Sequence, residues 1–129
     1  MRCRNVMLAV MLAATLLTGC QTTDSEAGQV DHVVLMWLKD PDDRDVLERI
    51  ERTGRGFVGR IPGLTRVSFG QPLLDHPAID NDYHAAFVMN FEDLPALEAY
   101  ADHPLHRQAV DELLGPHVAR LQVYDVLLR

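Results

Sequence analysis

Tyr100, His103 and His106 recur at intervals of three in the segment YADHPLH, residues 100–106. Residues three apart lie on one face of a helix, so 100 and 103 share a face with the apolar Leu97, and 106 joins them if the helix carries through Pro104. His32 falls in the first strand-like run of the chain and Asp125 in the last. The chemistry open to such a set is proton transfer at a carbonyl compound. A tyrosine hydroxyl can hold a carbonyl or enolate oxygen. A neutral imidazole, with an ordinary pKa of about 6.5, can remove a carbon-bound proton, and a carboxylate can fix an imidazole's tautomer. Those are the parts of an aldol-type cyclase.

Each of these residues also has a plainer reading. His103 and His106 can bond backbone carbonyls around a His-Pro break, His32 and Asp125 can form a structural pair, and Tyr100 can pack in the core with its hydroxyl bonded. His84, beside Tyr83 at the start of a strand, reads as a rim residue. A His-x-x-His spacing is weak evidence for metal, because zinc sites use three or four ligands with a supporting shell. The acidic run Asp40–Asp45 lacks the glycine and terminal glutamate of a calcium loop. No metal and no cofactor is expected.

The elements that must position these groups follow from periodicity. In VDHVVLMWL, residues 30–38, His32, Val34, Met36 and Leu38 face one way and Val33, Leu35 and Trp37 the other, the alternation of a strand that is apolar on both sides. Asp40-Pro41-Asp42-Asp43 supplies a cap, a first-turn proline and acids suited to a helix dipole. Val46, Leu47, Ile50, Phe57, Val58 and Ile61 then recur near a 3.6 spacing until Pro62-Gly63, although Gly54, Gly56 and Gly59 weaken the last turns. Leu64–Gln71 and Tyr83–Phe91 alternate as strands, with a loop punctuated by Pro72, Pro77 and Asn81-Asp82 between them. Asp93 caps a helix that Pro104 interrupts, a second helical piece runs to Gly115-Pro116, and Leu121–Leu128 is a final strand.

The order β-α-β-β-α-β predicts an α+β fold of ferredoxin-like type, a four-stranded antiparallel sheet with helices on one face. His32 and Asp125 are neighbours in such a sheet. Its other face, bearing Val33, Leu35 and Trp37, would be an apolar patch of the size that marks an interface. A second copy covers it most simply, so a homodimer with sheets packed face to face, a dimeric α/β barrel, is expected.

Composition narrows the partners. The 129 residues carry 12 Lys and Arg against 19 Asp and Glu, a net charge of −7 with no run of basic residues, which excludes a nucleic-acid partner. The start is a three-part export leader: Arg2 and Arg4, the run Val6–Leu17 broken only by Thr15, then Thr18-Gly19. That run is too short to span a bilayer, which takes about 20 residues of helix. Leu17-Thr18-Gly19-Cys20 resembles the bacterial lipobox, which implies a signal peptide over 1–19 and an acylated Cys20 as the first mature residue. The expected location is the bacterial cell envelope, with membrane attachment through the lipid, because an acidic chain is not drawn to anionic lipid by charge. With Cys3 removed and Cys20 acylated, no disulfide can form. Residues 20–29 then act as anchor and tether, and QTTDSEAGQ, at 21–29, reaches roughly 15–18 Å as a flexible chain.

Several segments together resemble the stress-responsive α/β-barrel family known as Dabb. They are His32-Val33-Val34-Leu35, Ile61-Pro62-Gly63-Leu64, Asp82-Tyr83-His84, Phe91-Glu92, and Leu97-Glu98-Ala99-Tyr100 running into His103-Pro104-Leu105-His106. The resemblance covers about residues 30–128, within a domain taken as 30–129, and implies the same dimeric barrel. The family includes plant polyketide cyclases resembling olivetolic acid cyclase, and many members without an assigned activity. By that resemblance Tyr100 and His106 correspond to the catalytic pair of the cyclases, with His32 and Asp125 beside them, and His103 and His84 are expected at the substrate. The expected ligand is a small apolar molecule, handled by an aldol-type cyclase or lyase step. The alternative is a non-catalytic envelope module whose purpose is dimerisation.

Overall fold

A computed structural model describes residues 26–73 and 81–129. The expected leader and the lipidation site Cys20 lie outside the described residues. Strand β1 spans Val30–Leu38, helix α1 Arg44–Arg55, β2 Leu64–Gly70 and β3 Ala85–Phe91. Helix α2 (Leu94–Asp102) leads into α3 (Pro104–Ala109), a π-helical turn at Val110–Leu114, the single turn α4 (Gly115–His117) and strand β4 (Val118–Leu127). The strands lie in the order β2-β3-β1-β4 and every neighbouring pair is antiparallel. That is the ferredoxin-like arrangement expected from the sequence, and it places β1, with His32, beside β4, with Asp125.

Alternation along the strands sorts the two faces. Val34, Met36 and Leu38 of β1 are buried with Ala85, Phe87, Met89 and Phe91 of β3 under the helices, while Val33, Leu35 and Trp37 occupy the other face. Helix α1 approaches the sheet closely at Gly54, where a Cβ would lie 2.5 Å from the Phe87 ring.

Local chemistry moved several boundaries. Asp43, not Asp40, caps α1, its carboxylate accepting from the Val46 N–H at 3.0 Å. Asp40 instead accepts from the Asp42 N–H in the preceding turn. The helix expected to reach Ile61 stops at Arg55, because the glycines give way to turns and Gly59 takes φ +79. Phe57 and Ile61 are buried all the same, held by the Ile61 N–H bonding the Phe57 carbonyl at 2.9 Å. Strand β3 begins at Ala85 rather than Tyr83, and β4 at Val118 rather than Leu121. Part of the expected tether is also fixed: the Gly28 N–H donates to the Leu128 carbonyl and the Leu128 N–H to that of Gln29.

Gly63 makes a sharp test of the packing. Its φ is +76, and an added Cβ would sit 2.4 Å from the Ala96 Cβ. Gly63→Ala combines left-handed strain with overpacking and is expected to cost at least about 2 kcal/mol, read as a lowered denaturation midpoint. An unchanged midpoint would contradict the contact between α2 and the start of β2.

Candidate functional site

A cavity of about 480 Å³ lies between the inner face of the sheet and the helices, within the size range of small-molecule sites. Its walls are mostly apolar, and its polar groups are few: His32, Asp125, Tyr100, His106, Thr53 and Glu98. Leu121, Val123 and Asp125 of β4 line it and are themselves exposed, so the mouth opens along this edge strand.

The register of β1 and β4 sets His32 directly opposite Asp125. The imidazole Nδ1–H donates to the Asp125 carboxylate at 2.6 Å. A carboxylate only accepts here, so Nε2 of a neutral His32 is the free acceptor. The His32 side chain is 13% exposed against 50% for Asp125, which places the pair at the mouth with the imidazole on the inside.

Tyr100 reaches the cavity from α2 and is 4% exposed. Its ring contacts Phe91 with centroids 5.0 Å apart, His32 at 5.6 Å and His106 at 4.2 Å, a T-shaped or tilted cluster of the kind that rings favour. Burial pushes the phenol well above its ordinary value of 10, so the hydroxyl stays protonated and has a proton to donate.

His106 comes from α3. Its Nδ1–H donates to the Ala101 carbonyl at 3.0 Å, and since a carbonyl cannot donate, Nε2 carries the lone pair. Burial lowers the imidazole's pKa from 6.5. The Ala101 bond opposes that shift, while His32 and His103 add to it. The group is therefore a neutral base at pH 7 with its tautomer fixed by the backbone.

The structure brings Tyr100, His106, His32 and Asp125 together in the lining of one cavity, and His103 and His84 lie outside that lining. The helical face expected to carry 100, 103 and 106 does not exist, because His103 adopts an extended conformation, φ −67 and ψ 135, and α3 starts afresh at Pro104. His103 caps that helix, its Nδ1 accepting from the Leu105 N–H at 3.2 Å. His84 precedes β3, and its Nδ1 accepts from the Leu38 N–H at 2.8 Å where the β1–β4 register shifts. Neither lines the cavity. Each of these imidazoles is engaged at Nδ1 by a backbone N–H that local secondary structure leaves unpaired. Among the described residues, no group of three or more His, Cys, Asp or Glu side chains is arranged to hold a metal.

Residues 30–128 match the family model described as Stress responsive A/B Barrel Domain, Dabb. The chain belongs to this family. Among solved structures, a Dabb family protein of ferredoxin-like fold from Mesorhizobium loti is 27% identical with a TM-score of 0.66, over 79% of this chain and 98% of that one. A dimeric ferredoxin-like protein of unknown function from Jannaschia is 25% identical with a TM-score of 0.66, over 78% and 100%. A hydroxynitrile lyase from Passiflora edulis is 15% identical with a TM-score of 0.66, over 78% and 94%, a likeness of fold alone. No curated protein matches the chain.

Within this Dabb domain, two features of the site had no counterpart in the sequence reading. The π-helical turn Val110–Leu114 supplies Val110, Leu113 and Leu114 to the cavity wall. A second, more polar cleft of about 460 Å³ is lined by Arg49, Arg52 and Arg60. The available signal for that cleft was the three-residue spacing of Arg49 and Arg52 on one helix face.

Proposed function

We propose that the cavity binds a small, largely apolar carbonyl compound and that Tyr100 and His106 assist the making or breaking of a carbon–carbon bond next to the carbonyl. The observation that carries this reading is the pairing of a buried, protonated phenol with an imidazole whose Nε2 is its basic nitrogen, ring to ring at 4.2 Å in an apolar cavity. In the condensing direction His106 Nε2 takes a proton from the carbon next to a carbonyl. The Tyr100 hydroxyl holds the oxygen on which charge develops, and the carbanion attacks a second carbonyl, whose oxygen takes up a proton. The cleaving direction is the reverse: the base takes the hydroxyl proton, the carbon–carbon bond breaks, and the leaving carbanion is protonated. The lyase of the same fold from Passiflora edulis makes the cleaving direction reasonable. His32, held by Asp125, orders the mouth. The test is titration with benzylacetone, an apolar methyl ketone, followed by NMR shifts. Saturable shifts confined to Val34, Met89, Leu97 and the other inner-face residues support the reading, and their absence contradicts it.

The working unit in this proposal is a homodimer. On the outer face Val33 lies beside Tyr124, with Val126 next along β4, the two being 49% and 47% exposed, while Leu35 and Trp37 lie beside Gln122 and Arg120, so the stripe is apolar around Val33 and polar at its β4 end past Leu35. The Jannaschia relative is dimeric. Val33 sits between Val88 and Tyr124 at the middle of that stripe, so Val33→Asp is expected to convert a dimer into a folded monomer in native mass spectrometry. A wild-type monomer, or a variant that stays dimeric, would contradict the face-to-face assembly. The same stripe is what favours the second reading, a dimerisation module without catalysis. Export and attachment through lipid on Cys20 belong to the proposal on the strength of Leu17-Thr18-Gly19-Cys20 ending an apolar leader run. Labelling with palmitate that survives Cys20→Ala would overturn that part.

A further inference from the structure

The Arg-lined cleft lies against the cavity. Arg49 and Arg52 project from α1, and Arg60 from the turn after it, where its N–H bonds the Phe57 carbonyl at 3.0 Å. Glu112 is the cleft's one acidic side chain, and its carboxylate already accepts from the Gln108 amide at 3.1 Å. The ion pairs among the described residues join His32 to Asp125, Arg55 to Glu51 and Arg107 to Asp102. None engages the three cleft arginines, although Asp45 and Glu48 stand four positions before Arg49 and Arg52, the spacing at which helix ion pairs form. Three like charges are thus gathered on one wall of a chain whose net charge is −7, an arrangement that an anion would relieve.

Cavity and cleft adjoin. Thr53, Phe57, Ala109 and Leu113 line both, so the apolar space and the guanidinium groups meet along these four residues. Thr53 and Ala109 are small and half-buried. Leu113 belongs to the π-helical turn, a widened geometry that is rare in helices and found frequently at functional sites. We infer that the ligand of the cavity is an anionic amphiphile, its apolar body lying against Tyr100 and its phosphate or carboxylate group lying among Arg49, Arg52 and Arg60. This rests on the reading of the cavity as a ligand site and names the substrate class for it.

The experiment titrates the purified full chain with decyl phosphate, decanol and inorganic phosphate by calorimetry, alongside the variant Arg49→Gln/Arg52→Gln/Arg60→Gln. Decyl phosphate is expected to bind at least about tenfold tighter than decanol, the scale of charge-assisted hydrogen bonding. The variant is expected to lose that preference while keeping its affinity for decanol. These side chains are exposed, so folding is not expected to suffer, and Arg52→Gln alone, with a smaller loss in the same direction, covers a triple variant that fails to fold. Equal binding of decyl phosphate and decanol overturns the inference and leaves the apolar cavity standing. Inorganic phosphate binding as tightly as decyl phosphate also overturns it, because the cleft would then hold a free anion. Binding of neither decyl probe overturns the inference and the cavity reading together.

Discussion

His106→Gln is expected to lower, by about 10²- to 10⁴-fold, the rate of the proposed exchange for deuterium of the protons next to the carbonyl of benzylacetone, the usual contribution of a positioned general base. Glutamine keeps a donor for the Ala101 carbonyl but has no basic nitrogen to replace Nε2. The base must be neutral to act. Since burial lowers its pKa, exchange by the wild-type protein is expected to hold down to pH 6.5 and to fall only as the pH passes through the lower, folded value. The stability effect has the same sign. A group whose folded pKa lies below its unfolded one binds its proton first in the unfolded chain, so its contribution is complete above about pH 6.5 and declines below that until the folded pKa is passed. His106→Gln removes this acid-side decline. A variant that melts much lower and exchanges as fast as wild type would make the imidazole a structural residue.

Tyr100→Phe keeps the ring cluster and removes one hydroxyl. If the hydroxyl holds the developing oxyanion as proposed, its loss is expected to lower kcat by about 10²- to 10³-fold, with little change in melting temperature. Tyr100→Ala differs in kind: it empties a core position against Phe91, Phe57 and His106 and is expected to cost about 3–5 kcal/mol of stability. The contrast separates the hydroxyl from the ring. If Tyr100→Phe leaves kcat unchanged, the phenol is core and the carbonyl oxygen is held elsewhere. The two substitutions address one proton path, so their losses are not expected to add.

Some of this was legible in the sequence and some was not, for identifiable reasons. Alternation in VDHVVLMWL fixed the two faces of β1, and the order of elements fixed β1 beside β4, so the meeting of His32 with Asp125 was readable. Asp93 as a helix cap was equally plain, its carboxylate accepting from the Ala96 N–H at 2.8 Å. The end of α1 was misjudged because Phe57 and Ile61 are buried in turns at positions that continue the helical spacing by coincidence. At 100–106 spacing alone set Tyr100 and His103 on one face, and only the family resemblance paired Tyr100 with His106. An extended residue before Pro104 redirects the chain, so Tyr100 meets the residue six positions on rather than three. A π-helical turn carries no sequence pattern, and the wall it builds was invisible. Arg60 stands eight residues from Arg52, and only the glycine-bearing turn between them brings the two to one cleft.

The measurement that bears most directly on the central claim is proton exchange itself, because every aldol-type step or its reverse passes through a carbanion next to a carbonyl, whatever the natural ligand. Wild-type protein in deuterated water at pH 7, incubated with benzylacetone, is expected to incorporate deuterium next to the carbonyl faster than buffer, saturably in ketone. Incorporation at the buffer rate, with the ketone shown by NMR to be bound in the cavity, would contradict the account and leave a binding domain without this chemistry.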